Sequence, residues 1–392
     1  MRLAARGDGV TADGRHFPGA VPGDRIESDG ALVEGPNRQA PACRHYGDCG
    51  GCQLQHVPDS LLADFARDRV LEPLARAGVA PKDVQATHIS PPGARRRAAL
   101  RATRTDGEVR LGFNAAGEHR IVDLQECPVM HPGLFRLLRP LKALLAPHLG
   151  ERSAIAVTPT LTDNGVDLLL GNLQANSLPV IEGLNEFSEQ HDLARLSIEG
   201  PMGIETLATR AAPSVRMGEA DVTLPPAAFL QATADGEAAL VSAVRSIVGK
   251  AKRVADLFSG CGTFSFPLAM KARVTAADGT GPAIRALETA ARRSGAAIET
   301  QHRDLFRKPL SADELNAFDA VVLDPPRAGA QAQAGQLALS RVPVVAAVSC
   351  NPATFARDAE MLAKGGYRLR RLWPVAQFRW STHVELVAEF RR

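Results

Sequence analysis

The period of the apolar positions changes twice along this 392-residue chain. The first forty residues hold few large apolar side chains. Within them HFPGAVPGDRI and ALVEGPNRQAP read as short strands between Pro/Gly turns, a β element too small to be stable alone. SLLADFARDRVLEPLARAG then takes a helical period, with Leu61, Leu62, Phe65, Val70, Leu71 and Leu74 on one side. From about 85 to 230 short strands mix with helices: RIVDL, DLLLGNL and RLSIEG predict strands, and HPGLFRLLRPLKALLAPHLG predicts one helix. Past Ala234 the texture changes. A helical DGEAALVSAVRSIVGKA is followed by the apolar runs RVADLF, RVTAAD, AIETQ, DAVVLD and VPVVAAVSC, with helical segments between them. Such alternation predicts a parallel, doubly wound sheet covered on both faces. YRLRRLWPV and HVELVAEF predict a final strand pair. The expected organisation is a small β element over 1–40, an α+β domain over 41–233 and a Rossmann-like α/β domain over 234–392.

Composition adds limits. Apolar residues make up 45% of the chain, as in an ordinary globular protein. No apolar run reaches the roughly 18 residues of a membrane helix, and MRLAARGDGV lacks the apolar core of a secretory signal. The cytoplasm is therefore the expected compartment, with no membrane partner. A net charge of +3 decides nothing about nucleic acid. Locally, ARRRAALRATRTDGEVR brings Arg95, Arg96, Arg97, Arg101, Arg104 and Arg110 together. That segment is either a solvated strand and turn or a phosphate-binding face.

The candidate chemistry lies at strand ends. VADLFSGCGTFSFPLA reads as strand, glycine turn, helix, with Asp256 at the end of the strand and Gly260 and Gly262 allowing a tight turn and close approach of a ligand. The next strand ends in Asp278, placed to accept hydrogen bonds from ribose hydroxyls. A Gly-x-Gly alone is a weak signal, but with Asp256, Asp278 and the alternating texture it points to S-adenosylmethionine. In DAVVLDPPRAG two prolines end the strand and hold Asp324 over the same edge. Arg327 follows, where enzymes methylating exocyclic amines carry an aromatic residue, which argues against amino methylation. VPVVAAVSC ends in Cys350, then Asn351-Pro352. An isolated thiol is commonly a buried strand cysteine; at a strand end facing Asp324 it is a candidate nucleophile.

Six cysteines without a signal peptide argue against a disulfide framework. Cys43, Cys49 and Cys52 share a Gly-rich loop, and Cys127-Pro128 follows much later. Four thiolates suit zinc or a [4Fe–4S] cluster. The three-plus-one spacing, with one cysteine before proline, leans toward iron–sulfur.

FLQAT, DLFSGCGTF, LDPPRAG, VSCNPATFARD and THVE occur in the order found in the RNA uracil-5-methyltransferases, and the chain resembles that family. CRHYGDCGGCQLQH and HRIVDLQECPV resemble its iron–sulfur members that methylate 23S ribosomal RNA. The resemblance implies S-adenosylmethionine and a [4Fe–4S] cluster on Cys43, Cys49, Cys52 and Cys127. It implies an RNA partner, most of all 23S rRNA, and a class I methyltransferase domain; a monomer is the expected state. It puts Cys350 as the nucleophile at uracil C6 and Glu385 as the base at C5. By the same resemblance Gln231 is expected to close over donor and base, Phe258, Gly260, Thr263, Asp278 and Asp304 to contact the cofactor, and Asp324 to hold the cofactor side and the uracil edge. Thr263, Asp278 and Thr233 stand where the family usually has Asn, Glu and Asn. GDGVTADGRHFPGAVPGDRI resembles the first part of a small β-barrel (TRAM-like) RNA-binding domain, truncated here. The alternatives are a tRNA T-loop uridine methyltransferase and a non-catalytic RNA-binding assembly protein on the same scaffold.

Overall fold

The computed structural model describes residues 1–151, 153–173 and 177–392. The chain divides into two compact units. One comprises Met1–Phe65, Ser90–Pro213 and Phe378–Thr382; the other comprises Ala66–Ile89, Ser214–Gln377 and His383–Arg392.

In the first unit, residues 1–40 form two-residue strands: Arg2–Leu3, Gly9–Val10 and His16–Phe17 in one sheet, Arg25–Ile26 with Leu32–Val33 in another. Buried Asp24 ties this region together, accepting from the Val21 and Gly35 amides and pairing with Arg38 at 2.7 Å. The larger sheet of the unit has the order Gly203–Thr209, Arg195–Gly200, Gly165–Gly171, Ala154–Thr162, Leu100–Thr105, Glu108–Gly112. Leu100, Leu111, Leu141, Leu168, Leu184 and Leu196 form part of its core.

Two expectations fail here. RIVDL is no strand: Ile121 makes a single bridge to Asn114, and Asp123 turns its carboxylate onto the Leu111 amide and Lys142. The segment is thus pinned as a loop by a side chain that takes a ladder position. The single helix expected over 131–150 breaks into Pro132–Phe135, Leu138–Leu145 and a 3-10 turn Ala146–His148. Pro140 is tolerated in the first turn of the second piece but not inside one continuous helix, where its missing N–H and its ring would break the ladder.

In the second unit the predicted apolar runs are strands: β1 (Arg253–Leu257), β2 (Arg273–Asp278), β3 (Ile298–His302), β4 (Ala320–Leu323) and β5 (Val344–Ser349), followed by β6 (Arg368–Ala376) and β7 (Glu385–Arg391). The order is β3-β2-β1-β4-β5-β7-β6, with short strands at 83–84 and 88–89 beyond β6. β1 to β5 are parallel and β7 runs antiparallel to both its neighbours. Every residue of β4 and β5 is buried, as expected for strands covered on both faces. One face packs on Leu337, Phe355, Ala359 and Leu362, the other on Leu240, Val244, Ile247 and Phe264. The strand order reverses between β1 and β4, so the loops after those strands open onto the crevice where doubly wound sheets bind ligands.

Candidate active site

β1 delivers Asp256 into this crevice, fully buried, where it accepts from Ser265 Oγ at 2.5 Å. Burial, with Asp278 nearby, pushes its carboxyl up to about 7 against the Ser265 hydrogen bond. The glycine loop that follows is folded by backbone geometry. Phe258 has φ +63° and donates its amide to the Ala277 carbonyl at 2.8 Å. Gly262 has φ +104°, and a Cβ there would lie 2.7 Å from the Phe266 ring. Gly260, at φ +54°, faces open space.

Asp278, at the end of β2, accepts from the amides of Gly260 (3.0 Å) and Thr280 (2.6 Å), one on each oxygen. It therefore shapes the loop, and each oxygen keeps a second lone pair for a ligand hydroxyl. Asp304, past β3, turns its carboxylate onto the amides of Phe306 and Arg307. Phe306, which sequence reasoning missed, is half exposed and stands 5.3 Å from the Phe258 ring. An exposed aromatic just past a strand end was the available signal. Thr263 is half-buried beside the loop.

Asp324 follows β4, its amide bonded to the Leu257 carbonyl. Cys350 follows β5 and is half-buried. The two loops are stitched together. Asn351 donates to the Arg327 carbonyl at 3.0 Å, Thr354 Oγ1 donates to the same carbonyl at 3.1 Å, and Asp358 accepts from the Ala330 amide at 2.6 Å. Glu385 opens β7 and is buried. These three groups feel one another. Burial first, then Glu385 and Asp324, push the Cys350 thiol up to about 11, with Arg327 opposing. Burial, then Glu385, Asp256 and Asp278, hold the Asp324 carboxyl well above its usual range. Burial pushes Glu385 up to about 7, against a hydrogen bond from Gln377 and the charge of Arg327.

Gln231, buried, accepts from Gln377 Nε2 at 2.7 Å. Gln377 carried no signal in the sequence, being one polar residue in a loop. Thr233 is the N-cap of the helix Ala234–Val248, accepting from the Gly236 amide at 3.1 Å.

In the first unit Cys43, Cys49, Cys52 and Cys127 line one cavity together with Arg95 and Phe113. The Gly51 amide points at Cys49 Sγ, 3.5 Å away. Burial raises all four thiols. Among the described residues no three His, Cys, Asp or Glu side chains stand grouped to hold a metal ion. The arginine segment does not present a single phosphate face. Arg95 is turned inward, its guanidinium 5.4 Å from the Phe113 ring and 5.5 Å from the Phe378 ring, and burial lowers its pKa as it does that of Arg97. Arg104 donates to the carbonyls of Ala146 and Leu149. Arg101 alone of the six is exposed.

A doubly wound sheet in this strand order, with a glycine loop after β1 and carboxylates at the ends of β2 and β4, defines a class I S-adenosylmethionine-dependent methyltransferase. The family described as tRNA (uracil-5-)-methyltransferase matches residues 223–389. The whole chain is 43% identical to an uncharacterized RNA methyltransferase of Zymomonas mobilis, spanning 99% of it. It is 35% identical to the 23S rRNA (uracil(1939)-C(5))-methyltransferase RlmD of Halomonas elongata, over 98% of this chain and 86% of that one. Its fold is similar to that of the Pyrococcus abyssi tRNA (uracil-54, C5)-methyltransferase in complex with S-adenosyl-L-homocysteine, with a TM-score of 0.77 at 24% identity, covering 99% of this chain and 98% of that one. The chain belongs to the RNA (uracil-5-)-methyltransferase family and is an S-adenosylmethionine-dependent enzyme. Among the described residues no helix is long and apolar enough to cross a membrane.

Proposed function

We propose that the enzyme methylates C5 of a uridine in 23S rRNA through a covalent bond between Cys350 and uracil C6. The observation that carries this reading is that β5 and β7 pair Ser349 with Leu386, which sets Cys350 and Glu385 side by side, while Asn351 ties the Cys350 turn to the loop after Asp324. Uracil C5 is a weak nucleophile. A thiolate adding to C6 moves the C5=C6 electron pair onto C5, which then takes a methyl group. A base removes the C5 proton, the pair returns to C5=C6, and the thiolate leaves with the C6–S electrons. S-adenosylmethionine, when bound, would supply the methyl group, its S–CH3 bond breaking to leave S-adenosylhomocysteine.

Each residue suits its step. The Cys350 thiol, at about 11, is neutral until a cation or base assists it. Asp324 is held toward its protonated form and can donate a hydrogen bond to a uracil carbonyl, drawing electrons from C6. Glu385, at about 7, is matched to proton removal near neutral pH. The Phe258–Phe306 pair and Asp304 offer an aromatic and polar rim for the adenine, and Asp278 an acceptor for the ribose. Cys43, Cys49, Cys52 and Cys127 would hold a [4Fe–4S] cluster with a structural role; what supports this is the ligand chemistry of four thiols lining one cavity, although they do not stand grouped at ligand distances among the described residues. The choice of 23S rRNA rests on this cysteine set and on the relative from Halomonas elongata.

The test has two arms. Cys350→Ala should abolish methylation of 23S rRNA, and a variant that still methylates overturns the covalent route. Mapping 5-methyluridine in RNA from a deletion strain should find the loss in 23S rRNA; a loss confined to tRNA overturns the substrate.

A further inference from the structure

β6 ends at Ala376, and Gln377 follows it into a loop, yet its side chain is buried. The carboxamide is held from several sides. Nε2 donates to Gln231 Oε1 at 2.7 Å, and the side chain stands two residues past Val375, the cross-strand partner of Glu385, close enough to favour the ionised Glu385 carboxylate. A carboxamide nitrogen has two N–H groups, so the bond to Gln231 leaves one that can serve Glu385. Behind it lies Gly236, where a Cβ would sit 2.7 Å from Gln377 Cβ; any larger residue would push the amide out of line. Gly236 is itself fixed by the Thr233 cap. Oε1 is shielded from solvent and has no hydrogen-bond partner among the described residues.

This arrangement costs stability. A buried carbonyl without a donor is unfavourable, and so is a buried carboxylate with few donors. A residue chosen for packing alone would be apolar here. The feature that needs the amide is the pair of acceptors it serves, Gln231 and Glu385.

We infer that Gln377 is the positioning residue of the proton-removal step: it aims the Glu385 carboxylate and locks that aim to Gln231. The inference rests on the reading of Glu385 as the base. It assigns Gln377 to one half of the reaction. Addition of Cys350 to C6 and methyl transfer to C5 do not need Glu385 aimed at the C5 proton, whereas release of Cys350 does. Loss of the amide also removes a hydrogen bond that favours the ionised carboxylate, so Glu385 should ionise at higher pH.

The test uses full-length enzyme, its Gln377→Met and Gln377→Asn variants, and 23S rRNA transcribed with uridine or with 5-fluorouridine. With fluorine at C5 there is no proton to remove, so Cys350 adds to C6, the methyl group enters C5, and the C6–S bond stays. Gln377→Met should trap 5-fluorouridine RNA at the parental rate. On uridine RNA its turnover should fall by about tenfold or more, a part of the roughly 10²–10⁴ that a positioned base contributes. The denaturant-stable protein–RNA adduct should accumulate, and the acid limb of the pH–rate profile should move to higher pH. Gln377→Asn, keeping the amide on a shorter arm, should recover part of the rate. Parental turnover with an unmoved acid limb overturns the inference. Equal loss of trapping and of turnover overturns it as well, since the amide would then serve the fold or the earlier step. Failure of the parent to trap 5-fluorouridine RNA is a different result: it removes the covalent reading on which the inference stands.

Discussion

Asn351 donates its side-chain amide to the Arg327 carbonyl at 3.0 Å, while its Oδ1 accepts from the Ala353 amide at 3.1 Å. One side chain thus caps the helix Pro352–Lys364 and ties the Cys350 turn to the loop that carries Asp324. Asn351→Ala should lose about 1 kcal/mol of cap stability and slow adduct formation by more than that loss alone explains. Thermal unfolding and the rate of trapping on 5-fluorouridine RNA measure the two effects. Asn351→Asp keeps the cap and loses the donor; it should recover most of the melting temperature and little of the rate.

Stability should depend on pH in an unusual direction. Asp256 and Glu385 are both raised to about 7 from ordinary values of 3.8 and 4.5. Between those values and pH 7 the folded protein keeps protons that the unfolded chain has released. Their contribution is full at low pH and is lost as pH rises through 7. Glu314 works oppositely: Arg303 first, then the Ser311 amide, hold it at about 2, so its contribution is constant above pH 5. Melting temperature should therefore be lower at pH 8 than at pH 5. Asp256→Asn, which keeps an acceptor for Ser265, should raise it at pH 8 and change it little at pH 5, a difference of a few kcal/mol at most. Equal shifts at both pH values would contradict this account.

The two loop glycines should respond differently to a methyl group. Gly262→Ala meets both an unfavourable φ and the Phe266 ring, and should cost several kcal/mol. Gly260→Ala meets only the left-handed φ, which costs about 1–2 kcal/mol, and points its methyl into open space. It should leave the fold largely intact and weaken S-adenosylmethionine binding. Calorimetry of unfolding and of cofactor binding separates the two.

Arg95 and Arg101 lie six positions apart and should behave as unrelated residues. Anaerobically purified enzyme should contain about four iron per chain; one zinc per chain would refute the cluster. Arg95→Leu should lower iron content and melting temperature, because its guanidinium lies between Phe113 and Phe378 beside the thiols. Arg101→Ala should leave both unchanged, weaken RNA binding and reduce the salt slope by about one. Binding measured across a salt series, with metal analysis on the same samples, checks both.

The parallel sheet could be read from the chain because strands buried on both faces, such as Ala320–Leu323 and Val344–Ser349, become unbroken apolar runs. The loops after them could be read because Pro325, Pro326 and Asn351 stop those runs abruptly. What could not be read depends on partners distant in sequence. Six arginines in one stretch look alike until Phe113 and Phe378 select Arg95 for the interior. Gln377 looks like any loop residue until Gln231, 146 positions earlier, accepts its hydrogen bond. Asp123 overrode the strand pattern of RIVDL in the same way, through Leu111 and Lys142.

The segment Phe378–Thr382 belongs to the unit that begins at Met1. The Trp380 carbonyl receives the amides of Gln53 and Leu54, next to Cys52, and Phe378 covers one side of Arg95. During synthesis the cysteine loop leaves the ribosome more than three hundred residues before these pieces of its surroundings. The part of the protein begun first is therefore among the last completed. The lining of the thiol cavity is complete once Val129 is made, but the backbone brace on Gln53 and Leu54 and the second ring on Arg95 are added only after residue 377.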